Sequence, residues 1–163
     1  MMDGKKEQSP TAKATKQWWI WSTFLATVLG LLVVLAVQKT MAADIVVYKS
    51  PTCGCCGKWV EHLEQASFRV DVEDMRDIAP VKRELGVPAR MQSCHTAKVG
   101  DYFVEGHVPA DLVKRLLADK PDIKGLAVPG MPMGSPGMEG PRKDPYDVIA
   151  VGRDGGYRVY ARR

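Results

Sequence analysis

The stretch Asp44-Ile-Val-Val-Tyr-Lys-Ser-Pro-Thr-Cys-Gly-Cys-Cys-Gly-Lys-Trp-Val-Glu-His-Leu63 decides the fold. Asp44 to Lys49 alternates weakly and is rich in β-branched residues, which predicts a strand. Ser50-Pro51-Thr52 ends it. From Cys53, or a residue or two later, Trp59, Val60 and Leu63 fall on one face of a helix running to about Gln65. Cys53 and Cys56 thus form a C-x-x-C at a strand-to-helix junction. A helix N-terminus offers unpaired N–H groups and the positive end of a dipole. Both favour thiolate, the form that attacks disulfides and binds metals.

Further along, Phe68 to Val72 alternates as a second strand, and Ala79 to Leu85 reads as a short helix ended by Gly86, with Pro88 beyond. Thr96–Val99 and Tyr102–Glu105 predict a hairpin around Gly100-Asp101. Pro109 suits the first turn of a helix that runs to about Asp119, with Leu112, Leu116 and Leu117 as its apolar stripe. Gly125 to Pro145 is rich in Gly, Pro and Met and reads as largely irregular. Asp147–Val151 and Tyr157–Ala161 flank Asp154-Gly155-Gly156 as a C-terminal hairpin. Strand–helix–strand units imply parallel pairing, and the hairpin that follows adds antiparallel strands. The expected fold is α/β, a thioredoxin-like mixed sheet of four strands with flanking helices, plus the Gly/Pro/Met-rich loop and the last hairpin.

Trp18 to Val37 is twenty residues without a charge, long enough as a helix to span a bilayer core. Trp18, Trp19 and Trp21 would sit at one interface. Four lysines precede the span and only Lys39 follows closely, which places residues 1–17 in the cytoplasm and residues 44–163 outside, in the periplasm. The segment is either an uncleaved inner-membrane anchor or a signal helix cut near Met41-Ala42-Ala43. The chain carries +4, but residues 1–43 hold five basic and two acidic residues. Of the 23 basic and 19 acidic residues in the chain, 18 and 17 therefore lie from Asp44 onward. A nearly neutral domain without a basic stripe excludes nucleic acid as a partner.

All four cysteines, Cys53, Cys55, Cys56 and Cys94, lie in the exported part. Four cysteines allow three pairings in an oxidising compartment, and the vicinal Cys55–Cys56 pair suits a bridge poorly. A redox motif needs two thiols, and a third inside it invites scrambling. A soft ion such as Cu(I) gains from additional thiolates. Competing readings are a stapling disulfide with a spare thiol, and a zinc site of three cysteines and a histidine, which such closely spaced thiols fit less well.

His62 reads as a surface or packing residue. His95 adjoins Cys94, but strict strand alternation would turn it to the opposite face. His107 lies between a strand and a helix, where ligand groups are common. Cys94, at the entrance to a strand, is expected to approach Cys53 and Cys56 in a thioredoxin-type sheet. Met131, Met133 and Met138 fall within eight residues of one loop. Their thioethers are soft ligands that suit Cu(I), or else adaptable packing under the loop. Core packing is the expectation for the isolated Met75 and Met91.

The segments YKSPTCGCCGKWVEHL (48–63), SCHTAKVGDYFVEGHVPADLVKRLL (93–117) and GLAVPGMPMGSPGME (125–139) resemble the thioredoxin-like, exported copper-resistance proteins of the CopG type. The resemblance spans roughly Asp44 to Arg163. It implies a domain that binds several copper ions through cysteine thiolates, in copper detoxification or Cu(I)/Cu(II) exchange. The ligands it implies are Cys53, Cys56 and Cys94. Cys55, His107 and the methionine loop also stand in matching positions. The expected partners are copper ions, the inner membrane if the helix is uncleaved, and periplasmic copper carriers or exporters. A thiol–disulfide oxidoreductase with Cys53 as nucleophile and Cys56 as resolving thiol is the alternative. Whether the protein is an enzyme is left open. A membrane-tethered adaptor would leave the third thiol and the methionine loop unexplained.

Overall fold

A computed structural model describes residues 44–163, together with Thr27 and Gly30. The chain divides after Ala42, and Ala43–Arg163 is the unit treated below. The span Trp18 to Val37, with its reading as anchor or signal, lies outside the described residues. Among the described residues no helix is long and apolar enough to cross a membrane.

The elements are β1 (Ile45–Lys49), α1 (Gly54–Gln65), β2 (Val70–Asp74), α2 (Ala79–Glu84), a 3-10 turn (Ala89–Met91), β3 (His95–Val99), β4 (Tyr102–Gly106), α3 (Ala110–Asp119), β5 (Ile123–Val128), β6 (Asp147–Gly152) and β7 (Tyr157–Arg162). The seven strands form one mixed sheet in the order β2-β1-β3-β4-β5-β6-β7. β1 pairs parallel with β2 and antiparallel with β3, and β3 forms the expected antiparallel hairpin with β4. β4 pairs parallel with β5 across α3, and β5, β6 and β7 continue antiparallel.

Three expectations are corrected. The sheet has seven strands, not four, because the C-terminal hairpin is joined to it through β5. The second correction is β5 itself, whose Gly125–Val128 was assigned to the irregular stretch. Gly125, Leu126, Ala127 and Val128 are all buried. A strand covered on both faces shows a continuous apolar run without alternation, so the sequence gives no period to separate it from the Gly/Pro-rich loop that follows. Pro109 also precedes α3 as its N-cap instead of occupying its first turn.

Cys56, Trp59, Val60 and Leu63 form the buried stripe of α1, at the spacing one helical face requires. Trp59, Val60 and Leu63 pack with Ile45, Val47, Ala97, Val104 and Leu126 of the sheet and with Leu112, Val113 and Leu116 of α3. A smaller cluster of Val87, Phe103 and Val151 takes up Leu85 and Met91, so Met91 has the packing role expected of it. Gly125 permits the close β4–β5 approach, since a Cβ there would collide with the Phe103 carbonyl oxygen.

Register places the site. Lys49 pairs with His95, and Gly106 pairs with Val128. The end of β1, the start of β3, the end of β4 and the end of β5 therefore share one rim of the sheet. The chain leaves or enters that rim at Ser50, Cys94, His107 and Pro129.

Candidate metal centre

The four cysteines meet on this rim. Cys53 is the N-cap of α1 in extended conformation, which places Cys55 and Cys56 in the first helical turn. Cys53 and Cys56 are joined by a disulfide with a Cα–Cα distance of 5.3 Å, and Cys55 and Cys94 are free. Of the pairings open from sequence, the one formed is that of the C-x-x-C. The Sγ atoms of Cys53 and Cys55 lie 3.5 Å apart. All four sulfurs lie within 4.8 Å of one another, with Cys94 brought in from the bend just before β3.

Cys94 belongs to a second group as well. Its Sγ lies 3.5 Å from His95 Nδ1 and 3.5 Å from His107 Nε2, and the three donor atoms lie within 4.8 Å of one another. His107 Nδ1–H donates to the Pro136 carbonyl at 2.6 Å, which leaves Nε2 as the lone-pair nitrogen turned toward Cys94. His95 is fully buried, lies with its ring centroid 4.4 Å from that of Trp59, and its Nε2 has no hydrogen-bond partner among the described residues. Strand alternation does not separate His95 from Cys94, because Cys94 lies in a bend just before β3. His95 is the site residue that sequence reasoning set aside. The adjacent Cys94-His95 pair at a strand entrance was its signal.

Burial sets the protonation of these groups. It pushes the Cys94 thiol up to about 12, reinforced by the charge of Cys55 and a hydrogen bond with it. It pushes His95 down to about 3, helped by His107 and Lys82, and lowers His107 as well. Both imidazoles are therefore neutral near pH 7, the form that donates to a metal.

The methionine loop closes over the rim. Gly134 N–H donates to Met138 O at 2.8 Å, Met138 N–H to Ser135 O at 2.8 Å, and Asp144 N–H to Met133 O at 2.9 Å. Ser135, Pro136 and Gly137 are buried. Gly137 has φ +85°, and a Cβ there would lie 2.7 Å from the Cys55 carbonyl oxygen and 3.0 Å from the Trp59 nitrogen. The loop thus packs on the first turns of α1. Met133 and Met138 line an open cleft of about 370 Å³ with Cys55, Lys58 and Glu139. Met131 is 38% exposed and is not part of that lining. His62 lies apart from the thiols: its Nε2 accepts the Ala110 N–H at 3.1 Å and caps the start of α3.

The donor set suits a soft ion. Thiolates and imidazoles are ligands that copper accepts, and cysteine sulfurs grouped this closely suit a soft ion. None of the curated proteins matches the sequence. Residues 91–138 match a family described as "Protein of unknown function, DUF411". A solved structure described as copper resistance protein copG, form 2, is 47% identical, with a TM-score of 0.70 over 73% of this chain and 96% of that one. Form 1 of the same protein is 47% identical, with a TM-score of 0.69 over 73% of this chain and 95% of that one. With that identity over nearly all of those chains, the protein belongs to the CopG-type copper-resistance family.

Proposed function

We propose that the protein binds one or more copper ions, chiefly as Cu(I), on Cys53, Cys55, Cys56 and Cys94, as a periplasmic component of copper resistance. The convergence of four sulfurs within 4.8 Å of one another carries this reading. His95 and His107 extend the donor set around Cys94. Met133 and Met138 stand where an ion would pass to Cys55, with Met131 outside them. The strand order β2-β1-β3-β4, with a C-x-x-C at the head of α1, supports a thioredoxin-like core. The uncharged span Trp18 to Val37 supports export, and copper carriers or exporters of that compartment are the expected partners.

The disulfide adds a redox reading of the same site. Two Cu(II) ions take one electron each from the Cys53 and Cys56 thiols. The S–S bond forms, two protons leave, and two Cu(I) ions result. Cys55, Cys94 and the two imidazoles remain as donors once that bond has formed.

The experiment is anaerobic titration of the fully reduced protein with Cu(I) against a chromophoric chelator. Stoichiometric uptake is expected, and no uptake would end the copper reading. A second reading, thiol–disulfide exchange with protein substrates, draws on the Cys53–Cys56 disulfide at a helix start. Insulin reduction without copper tests it, and an inert protein in that assay removes it.

A further inference from the structure

Beneath Cys94 lies a buried ion pair that contributes no atom to the donor set. Lys82 of α2 and Glu105 of β4 have side chains 3% and 0% exposed and contact each other directly. Such a pair is not stabilising by default. Removing both charges from water offsets their attraction, and apolar residues of similar volume often serve the fold as well or better.

The surrounding hydrogen bonds indicate what the pair holds. Glu105 Oε1 accepts the Ser93 backbone N–H at 2.5 Å and the Ser93 hydroxyl at 3.0 Å. Lys82 Nζ donates to the His95 carbonyl at 3.2 Å. Ser93 and His95 are the two neighbours of Cys94 in the chain. The pair thus grips the backbone on both sides of the one cysteine that belongs to both donor groups. Glu105 is also joined through Gly106 to His107. Gly106 has φ +69°, and a Cβ on it would lie 2.9 Å from Ser93 Oγ, so β4 and the Cys94 bend are in close contact.

We propose that Lys82 and Glu105 are positioning residues of the copper site, holding the Ser93–His95 backbone so that Cys94 Sγ faces the other three cysteine sulfurs and the two imidazoles at once. The inference rests on the copper-binding reading. Wild-type uptake of Cu(I) is the control that separates the two: its failure ends that reading, whereas normal uptake by wild type and variant alike ends only this one.

The test compares two uncharged doubles in the full-length reduced protein. Lys82→Met/Glu105→Leu removes the grip and leaves no buried charge unpaired. Lys82→Met/Glu105→Gln keeps an amide oxygen to accept from Ser93. Cu(I) affinity is read by competition with bathocuproine disulfonate, and the thiolate-to-copper band in the near ultraviolet reports the ligand arrangement. The first double is expected to bind about 10–100-fold more weakly with an altered band, the range seen when groups that orient metal ligands are lost. The second is expected to recover most of both. A wild-type affinity and band in the first double would overturn the proposal, as would equal loss in the two. If the first double does not fold, Ser93→Ala decides. Removing one of the two Ser93 donors should weaken binding roughly three-fold, and an unchanged affinity would overturn the proposal.

Discussion

Cys94 Sγ lies 3.5 Å from Nε2 of His107, across a sheet rim that brings the start of β3 beside the end of β4. The same sulfur lies within 4.8 Å of the three cysteine sulfurs of the α1 start. Cys94 is therefore shared by a sulfur-only group and a sulfur–nitrogen group. Replacing Cys94 by Ser takes a donor from both, whereas replacing Cys53 takes one from the first alone. Copper bound per chain, measured after anaerobic loading and desalting, should fall in both variants and further in Cys94→Ser. Unchanged stoichiometry in either variant would remove that residue from the site.

Met133 and Met138 line the cleft at Cys55, and Met131 does not. Leucine approximates the volume of methionine, so each Met→Leu change should cost less than about 1.5 kcal/mol of stability. Loss of a soft ligand would appear as slower Cu(I) capture in stopped-flow measurements. Met133→Leu and Met138→Leu are expected to slow it, and Met131→Leu to leave it close to wild type. Equal rates in all three would assign the loop to packing alone.

Gly137 ties the loop to α1. Its φ of +85° and the 2.7 Å from its built Cβ to the Cys55 carbonyl oxygen leave no room for a side chain. Gly137→Ala should destabilise the domain by more than about 1 kcal/mol in urea unfolding. It should also loosen Pro136 from His107, whose Nδ1–H it accepts at 2.6 Å. A variant as stable as wild type would show that the loop does not rest on the helix as described.

Burial of His95 makes the metal-free protein acid-sensitive. Below its ordinary value of 6.5 the unfolded chain takes up a proton at His95, while the folded chain resists until about 3. The unfolded state binds more protons across that window, so stability is lost as pH falls through it, by up to about 1.4 kcal/mol per pH unit from this group. Melts of the metal-free protein should drop between pH 7 and pH 5, and less steeply in His95→Gln. Indistinguishable slopes in the two proteins would contradict the assignment.

Much of this was legible in the chain. Alternation in Ile45–Lys49 and the Trp59, Val60, Leu63 spacing located β1 and α1, and with them the C-x-x-C at the helix start. The turn at Gly100-Asp101 located the hairpin that brings Cys94 and His107 to one rim. β5 was not legible, because a strand buried on both faces has no polar beat. The proximity of His95 to Cys94 was hidden because strand alternation was extended one residue too far, to a cysteine that precedes the strand. The Lys82–Glu105 pair carried no sequence signal at all. Two charged residues 23 positions apart look like any solvated pair until the fold buries them together.

The central claim is sulfur-based copper binding at the rim. X-ray absorption at the copper edge of the reduced, Cu(I)-loaded protein tests it most directly. The account predicts Cu(I) with sulfur as the dominant near neighbour, and a weaker sulfur contribution with less copper retained in Cys94→Ser. Failure of the reduced protein to retain copper, or copper surrounded only by nitrogen and oxygen, would contradict it.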